Sequence, residues 1–316
     1  MSKNLLIVLL SVLFMAGCGQ KKAERFEALP FPDIALPSMI QTQQDAAEYY
    51  AEHFWDNIAD PQRSYPSDSL LVSGVRKNDV EQKFSNWVSI LDMVPLNVSE
   101  KAIKRLCARA LACERKDSSS NVLETFADLA DKYVYDANSP FRNEEYYLHF
   151  AGCLASYEGL GEEERGRYAH RAEGCSLNRL GQKAADFRFA DKMGRMHTLH
   201  GIKAPYILLF FSNPGCEACM NIISMIKAEP KVEDMISAGM LAVLNIYIDE
   251  DLQGWLDYMP VYPDSWHNGF DPDLAIRNEN LYNVRAIPSL YLLDDEKRVI
   301  LKDAPESKMM SYLINL

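Results

Sequence analysis

Tyr206-Ile207-Leu208-Leu209-Phe210-Phe211-Ser212-Asn213-Pro214-Gly215-Cys216-Glu217-Ala218-Cys219 is the stretch around which the rest of the chain is organised. Six consecutive apolar residues suit a central strand buried on both faces, because a half-exposed strand would alternate with polar residues. Asn213 as cap and Pro214 in the first turn then predict a helix over residues 214–227, with Cys216 near the positive end of its dipole. A thiolate is stabilised there, and the thiolate is the nucleophile. Cys219 follows one turn later, close enough for a disulfide and less exposed. Attack therefore falls to Cys216 and resolution to Cys219, by way of a mixed disulfide.

Working outward, Phe187-x-Phe189, a turn at residues 192–194 and Thr198-Leu199 predict a hairpin before the central strand. After it come a strand over 241–248, a helix over 252–258 and a short helix near 274–282. Residues 289–293 and 298–301 flank a turn as an antiparallel pair, and 306–316 form a terminal helix. This order is α/β with an antiparallel edge.

The preceding half has a different period. Apolar residues recur at three-four spacing in residues 44–58 (Ala47, Tyr50, Ala51, Phe54, Trp55) and 79–93 (Val80, Phe84, Trp87, Val88, Leu91). Residues 99–114, 121–133 and 139–159 read the same way, the last opening with Ser139 as N-cap and Pro140 at the first helical position. That half is predicted to be all-helical, with its apolar stripes assigned to packing.

These features together resemble membrane-tethered thiol–disulfide oxidoreductases of the TlpA/ResA-like class. The resemblance rests on the apolar strand, on the Cys216/Cys219 pair and on Val284-Arg285-Ala286-Ile287-Pro288-Ser289 ahead of the strand hairpin. It implies a thioredoxin-like fold over residues 178–316, a cis Pro288 facing the disulfide, and substrate hydrogen bonding by the backbone of Ile287. The helical half, residues 40–177, looks like a domain of unknown function that precedes such domains in exported bacterial proteins. Asp136-Ala137-Asn138-Ser139-Pro140-Phe141-Arg142-Asn143-Glu144-Glu145-Tyr146-Tyr147 is its most recognisable stretch.

Two positions depart from the pattern. Gly215 stands where many relatives have Trp, and Phe210 stands where thioredoxins bury an Asp. Glu217 has two readings: its carboxylate beside Cys216 disfavours the thiolate and makes the pair a reductant, or it simply complements the helix terminus.

The N-terminus carries an address. Residues 5–15 form an eleven-residue apolar run after a single Lys3, too short to span a bilayer and suited to a signal peptide. Met15-Ala16-Gly17-Cys18 resembles a bacterial lipobox, which implies a leader over 1–17, lipidation of Cys18 and a proline-punctuated tether over 18–39. The expected location is the cell envelope, anchored to a membrane and facing the periplasm.

Composition narrows the partners. With 33 basic and 45 acidic residues, a formal charge of −12, the chain lacks the cationic surplus that nucleic acid requires. Other chemistries lack their residues. A peroxiredoxin motif would need other residues at Leu209 and Asn213, covalent haem a His at Met220, and zinc a second ligand pair that Cys107, Cys113, Cys153 and Cys175 do not form by spacing. The expectation is an enzyme that reduces protein disulfides, needs no bound cofactor or metal, and is recharged by a membrane or periplasmic electron donor. The alternative is a non-catalytic envelope scaffold that works through the helical domain.

Overall fold

The computed structural model describes residues 27–65 and 68–316. The expected leader, Cys18 and the start of the tether lie outside the described residues. From Leu29 onward the expected tether is docked instead of free. The Leu29 N–H donates to the Gly74 carbonyl at 2.9 Å, and the Phe31 ring sits 5.7 Å from both Phe54 and Trp55. Apolar residues between the prolines give this segment a reason to stay on the surface of the helical half.

The helical half comprises α1 (Gln43–His53), a two-residue hairpin β1 (Leu71–Val72) and β2 (Val75–Arg76), then α2 (Lys77–Leu91), α3 (Leu96–Lys116), α4 (Val122–Leu129), α5 (Glu144–Ala155) and α6 (Glu162–Ser176). The stripes predicted for α2 and α3 are buried as expected. They close on an aromatic centre in which Trp55 lies 4.8 Å from Phe126 and 6.0 Å from Trp87, edge to face. The Trp87 Nε1–H donates to the Ala51 carbonyl at 2.9 Å, so its polar edge is satisfied inside the core.

Several boundaries differ from the sequence expectation. α3 starts after Pro95, and Ser99 is an interior residue whose hydroxyl donates to the Leu91 carbonyl at 2.8 Å. α4 continues as a π-helical segment, Ala130–Tyr135. Ser139 is not the cap of α5: its hydroxyl donates to the Tyr133 carbonyl, and Asn143 caps instead, accepting from the Glu145 and Tyr146 N–H groups. α6 was not expected, since Tyr168 and Cys175 are its only buried residues, and two anchors seven apart leave little periodicity to read. The β1–β2 hairpin is likewise an addition to the all-helical expectation.

The second half is a seven-stranded sheet in the order β4-β3-β7-β6-β5-β8-β9. Its elements are β3 (Arg188–Asp191), β4 (Met196–Thr198), β5 (Tyr206–Phe211), α7 (Glu217–Ala228), α8 (Pro230–Ser237), β6 (Leu241–Tyr247), α9 (Leu252–Tyr258), β7 (His267–Phe270), α10 (Ala275–Asn278), β8 (Ser289–Asp294), β9 (Val299–Leu301) and α11 (Glu306–Asn315). β5 is parallel to β6 and antiparallel to β8. Its apolar run is continuous because the two faces serve two cores: Leu208 and Phe210 join Cys219, Ile222 and Ile226, whereas Ile207, Leu209 and Phe211 join Tyr282 and Tyr291.

β7 and α8 were missed. His267-Asn268-Gly269-Phe270 reads as a turn. It is held as a strand by its neighbours on both sides, and Gly269 belongs there because an added Cβ would strike the Phe189 ring. α8 did carry a legible signal, Pro230 at its first position behind a Glu229 cap.

Candidate functional site

β5 delivers the chain to the pair through a short turn. The Ser212 N–H donates to the Ile246 carbonyl at 3.1 Å, and the Asn213 amide donates to Asp249 at 2.7 Å. Gly215 then takes a left-handed φ of +71°, which no helix can run through. The helix therefore begins at Glu217, not at Pro214, and the capping residue is Cys216 itself rather than Asn213. The Cys219 N–H donates to the Cys216 Sγ at 3.2 Å. The sulfur thus lies directly at the positive helix end, with a shorter route to thiolate stabilisation than the sequence suggested.

Cys216 and Cys219 are disulfide-bonded, with Cα atoms 5.2 Å apart. Cys216 is half-buried, while Cys219 is only 1% exposed and packs with Ile222 and Ile223. Only one sulfur of the pair is therefore open to an incoming chain. The Ile287–Pro288 peptide bond is cis. Pro288, Ile287 and Ala218, the residue between the two cysteines in sequence, line one cleft of about 330 Å³. Glu217 is exposed in the first turn of α7, beside Cys216.

Beneath the pair, Phe210 is fully buried and packs edge to face on Trp266 at 6.3 Å. Three polar residues near Phe210, Asn245, Ser212 and Tyr262, are uncharged. Asn245, in register with Phe210, hydrogen-bonds the Ser212 hydroxyl, and its amide donates to Asn268 at 3.0 Å. Burial raises the Tyr262 phenol, so it too stays protonated. A chain of amides and hydroxyls thus lies on the face where a thioredoxin-type Asp would have been sought. The sequence offered a signal in the isolated Asn245 of an otherwise apolar strand.

The loop that carries Pro288 is fastened to the helical domain. Glu144, at the start of α5 and with a side chain only 1% exposed, meets Arg285 at 3.1 Å and Lys302 at 3.0 Å, and accepts from the Asn283 amide. Arg285 also pairs with Asp303 at 2.9 Å and donates to the Tyr135 carbonyl. Arg142 donates to the carbonyls of Asp303 and Ala304 at 3.0 and 2.9 Å. Burial raises the Glu144 carboxyl even with two cations against it, and burial lowers the Arg142 guanidinium. None of these residues was singled out from the sequence, although two stretches quoted there, 136–147 and 284–289, are the ones that meet.

The other cysteines stand apart from the pair. Cys175 is fully buried, which together with Glu144 pushes its thiol up to about 12 and leaves it unreactive at neutral pH. Cys107 is hydrogen-bonded with Cys153 and buried, and both effects raise its thiol. His149, one turn before Cys153 on α5, faces Glu100 at 3.3 Å. His197 pairs with Asp191, and His200 Nε2 lies 2.9 Å from the Ala184 carbonyl oxygen. Among the described residues no group of three or more His, Cys, Asp or Glu side chains is arranged to hold a metal ion.

Comparison with known proteins places this architecture. Residues 17–178 match a family model described as a domain of unknown function, DUF5106. A thioredoxin-like protein from Bacteroides caccae is 34% identical and superimposes with a TM-score of 0.79, over 92% of this chain and 99% of that one. The C-terminal domain of an uncharacterized protein and a conserved protein of unknown function, both from Bacteroides fragilis, are 46% and 37% identical. Each covers 43% of this chain and 98% of its own, with a TM-score of 0.42. No protein of curated function matches the chain. A helical domain over the first half and a thioredoxin-like sheet over the second, shared along almost the whole length of a 34% identical relative, establish that the chain belongs to the DUF5106 family in its thioredoxin-like two-domain form.

Proposed function

We propose that the protein is a lipid-anchored periplasmic oxidoreductase that reduces disulfides in other proteins. The observation that carries the redox reading is the asymmetry of the pair: a half-buried Cys216 capping α7, disulfide-bonded to a buried Cys219, with a cleft lined by Ala218 and Pro288 alongside. The cycle starts from the dithiol. The Cys216 thiolate attacks one sulfur of a substrate disulfide; the substrate S–S bond breaks, and its other sulfur leaves as a thiolate and takes up a proton. Cys219 then loses its proton and attacks the Cys216 Sγ. The mixed disulfide breaks, the second substrate thiol departs, and the Cys216–Cys219 disulfide remains, two electrons having passed to the substrate.

Resetting the pair takes a dithiol donor, for which a membrane or periplasmic reductant is the natural source. Among the described residues no carboxylate is hydrogen-bonded to Cys219, so its proton passes to water or to the thiolate that the substrate releases in the first step. Glu217 favours reduction over oxidation, because a carboxylate beside Cys216 withdraws some of the stabilisation that the helix terminus gives the thiolate. The envelope location rests on the signal-like run and on Cys18. No helix among the described residues is long and apolar enough to cross a membrane.

The test is turnover of the full mature chain with a disulfide-bonded peptide and an excess of dithiol. Release of two peptide thiols per disulfide, faster than the dithiol alone achieves, is expected. A rate equal to that of the dithiol alone would favour the scaffold reading.

A further inference from the structure

The cleft beside the reactive pair has two walls, and they come from different domains. One is the thioredoxin-like side: Ala218, Ile222 and Met225 along α7, with Ile287 and Pro288 across from them. The other is the turn at residues 136–139 of the helical domain, which presents Ala137 and Asn138 to the same space. Its geometry is set locally. The Asp136 side chain accepts from the Asn138 N–H at 2.8 Å, and the Ser139 N–H donates to the Asp136 carbonyl at 3.0 Å. Asn138 itself is exposed.

This second wall is fixed relative to the first. Arg142, four residues after Asn138, spends its guanidinium on the carbonyls of Asp303 and Ala304, while Arg285, three residues before Pro288, is held by Glu144 and the Tyr135 carbonyl. The two sides of the groove are thus braced by buried ionic contacts in both directions. Flanking loops on separate modules would otherwise move independently.

The lining says what fits. Ile222, Met225 and Ile287 make an apolar floor; the polar lining is Asn138, Asn221, the exposed Glu306 and Arg142, whose guanidinium is already taken up by the Asp303 and Ala304 carbonyls. Among the described residues no hydrogen bond engages the backbone N–H or C=O of Ile287. An extended chain can use those groups as a strand would, set a side chain on the apolar floor, and reach Asn138 with its next peptide unit. Cys216 is not among the residues that line this cleft, so a small disulfide can meet it without entering the space that Asn138 borders.

Resting on the redox reading above, we propose that the helical domain supplies the second wall of the substrate groove. Asn138 is then a specificity-determining residue, and the substrate is an extended polypeptide segment with an apolar side chain next to the attacked cysteine. This gives the domain of unknown function a role in choosing substrates for the domain that follows it.

The test compares two disulfides on the full mature chain and on Asn138→Trp, a surface change that leaves the Asp136 turn its backbone bonds. The probes are hydroxyethyl disulfide and a synthetic peptide with one disulfide whose cysteine is followed by leucine. Asn138→Trp is expected to lower kcat/KM for the peptide about tenfold while leaving hydroxyethyl disulfide within about twofold. Replacing the peptide's leucine by aspartate is expected to cost the unaltered protein a similar factor. An unchanged peptide rate in Asn138→Trp overturns the proposal, as does an equal fall for both disulfides, which would mean damage to the pair itself. Failure of the unaltered protein to exchange with either disulfide would instead sink the redox reading beneath it.

Discussion

Cys219→Ser is expected to hold the protein in a mixed disulfide with its substrates, and Cys216→Ser to lose exchange by at least about a thousandfold. The two outcomes differ because the sulfurs sit differently. Cys216 is the capping residue of α7 and half-buried, so an incoming disulfide reaches it; Cys219 is 1% exposed and reaches nothing but Cys216. Removing the buried sulfur leaves the first attack intact and removes the second, so the adduct persists. Removing the accessible sulfur leaves only the buried Cys219 at the pair; the free cysteines Cys107, Cys113, Cys153 and Cys175 all belong to the core of the helical half, so an adduct on the half-buried Cys153, whose thiol the hydrogen bond to Cys107 lowers, is told apart by the peptide that carries it. Non-reducing electrophoresis and intact mass, with the peptide disulfide as partner, read both results. Adducts of equal yield in both variants would contradict the assignment of attack to Cys216.

Glu144→Ala is expected to destabilise the chain by about 3–5 kcal/mol, because it leaves the buried Lys302 with backbone carbonyls alone and Arg285 with Asp303 as its remaining carboxylate. The loss has a structural address. Asn283 and Arg285 both lead into Pro288, so the variant loosens the loop that lines the cleft as well as the contact between the domains. Glu144→Gln keeps an acceptor for Asn283 and Arg285 and is expected to lose distinctly less. The pH dependence follows from the raised carboxyl. Where the unfolded Glu144 is already ionised and the folded one still holds its proton, folding takes up a proton, so this group's contribution falls as pH rises above the ordinary carboxylate range and levels off above the folded value. Urea unfolding of both variants checks the difference. A midpoint for Glu144→Ala within error of the unaltered protein would mean that the ionic cluster does not join the two halves energetically.

What could be read from the amino acids depended on whether the cause was local. β5 was legible because burial on both faces leaves an unbroken apolar run, and α2 because five residues from Val80 to Leu91 share one face. The Cys216/Cys219 spacing and the Ile287-Pro288 pair are likewise local patterns. The start of α7 was misplaced because Asn213-Pro214 looks like a helix opening until Gly215 adopts its left-handed φ, which one residue symbol does not announce. α6 and β7 are held by what they pack against. Glu144 was invisible for the strongest reason: its partners Arg285 and Lys302 follow it by more than a hundred residues, and nothing in the first turn of a helix distinguishes a buried glutamate from a solvated one. The second wall of the cleft, at Asn138, is non-local in the same way.

The central claim is that Cys216 and Cys219 form a reversible two-electron couple in this fold. Its most direct test is equilibration of the full mature chain in dithiothreitol buffers of graded potential, followed by alkylation and mass measurement of the peptide that carries both cysteines. The account predicts one cooperative two-electron transition, nearer the roughly −270 mV of thioredoxin than the roughly −120 mV of strongly oxidising pairs. A pair that stays oxidised, or stays reduced, across the whole range would contradict it.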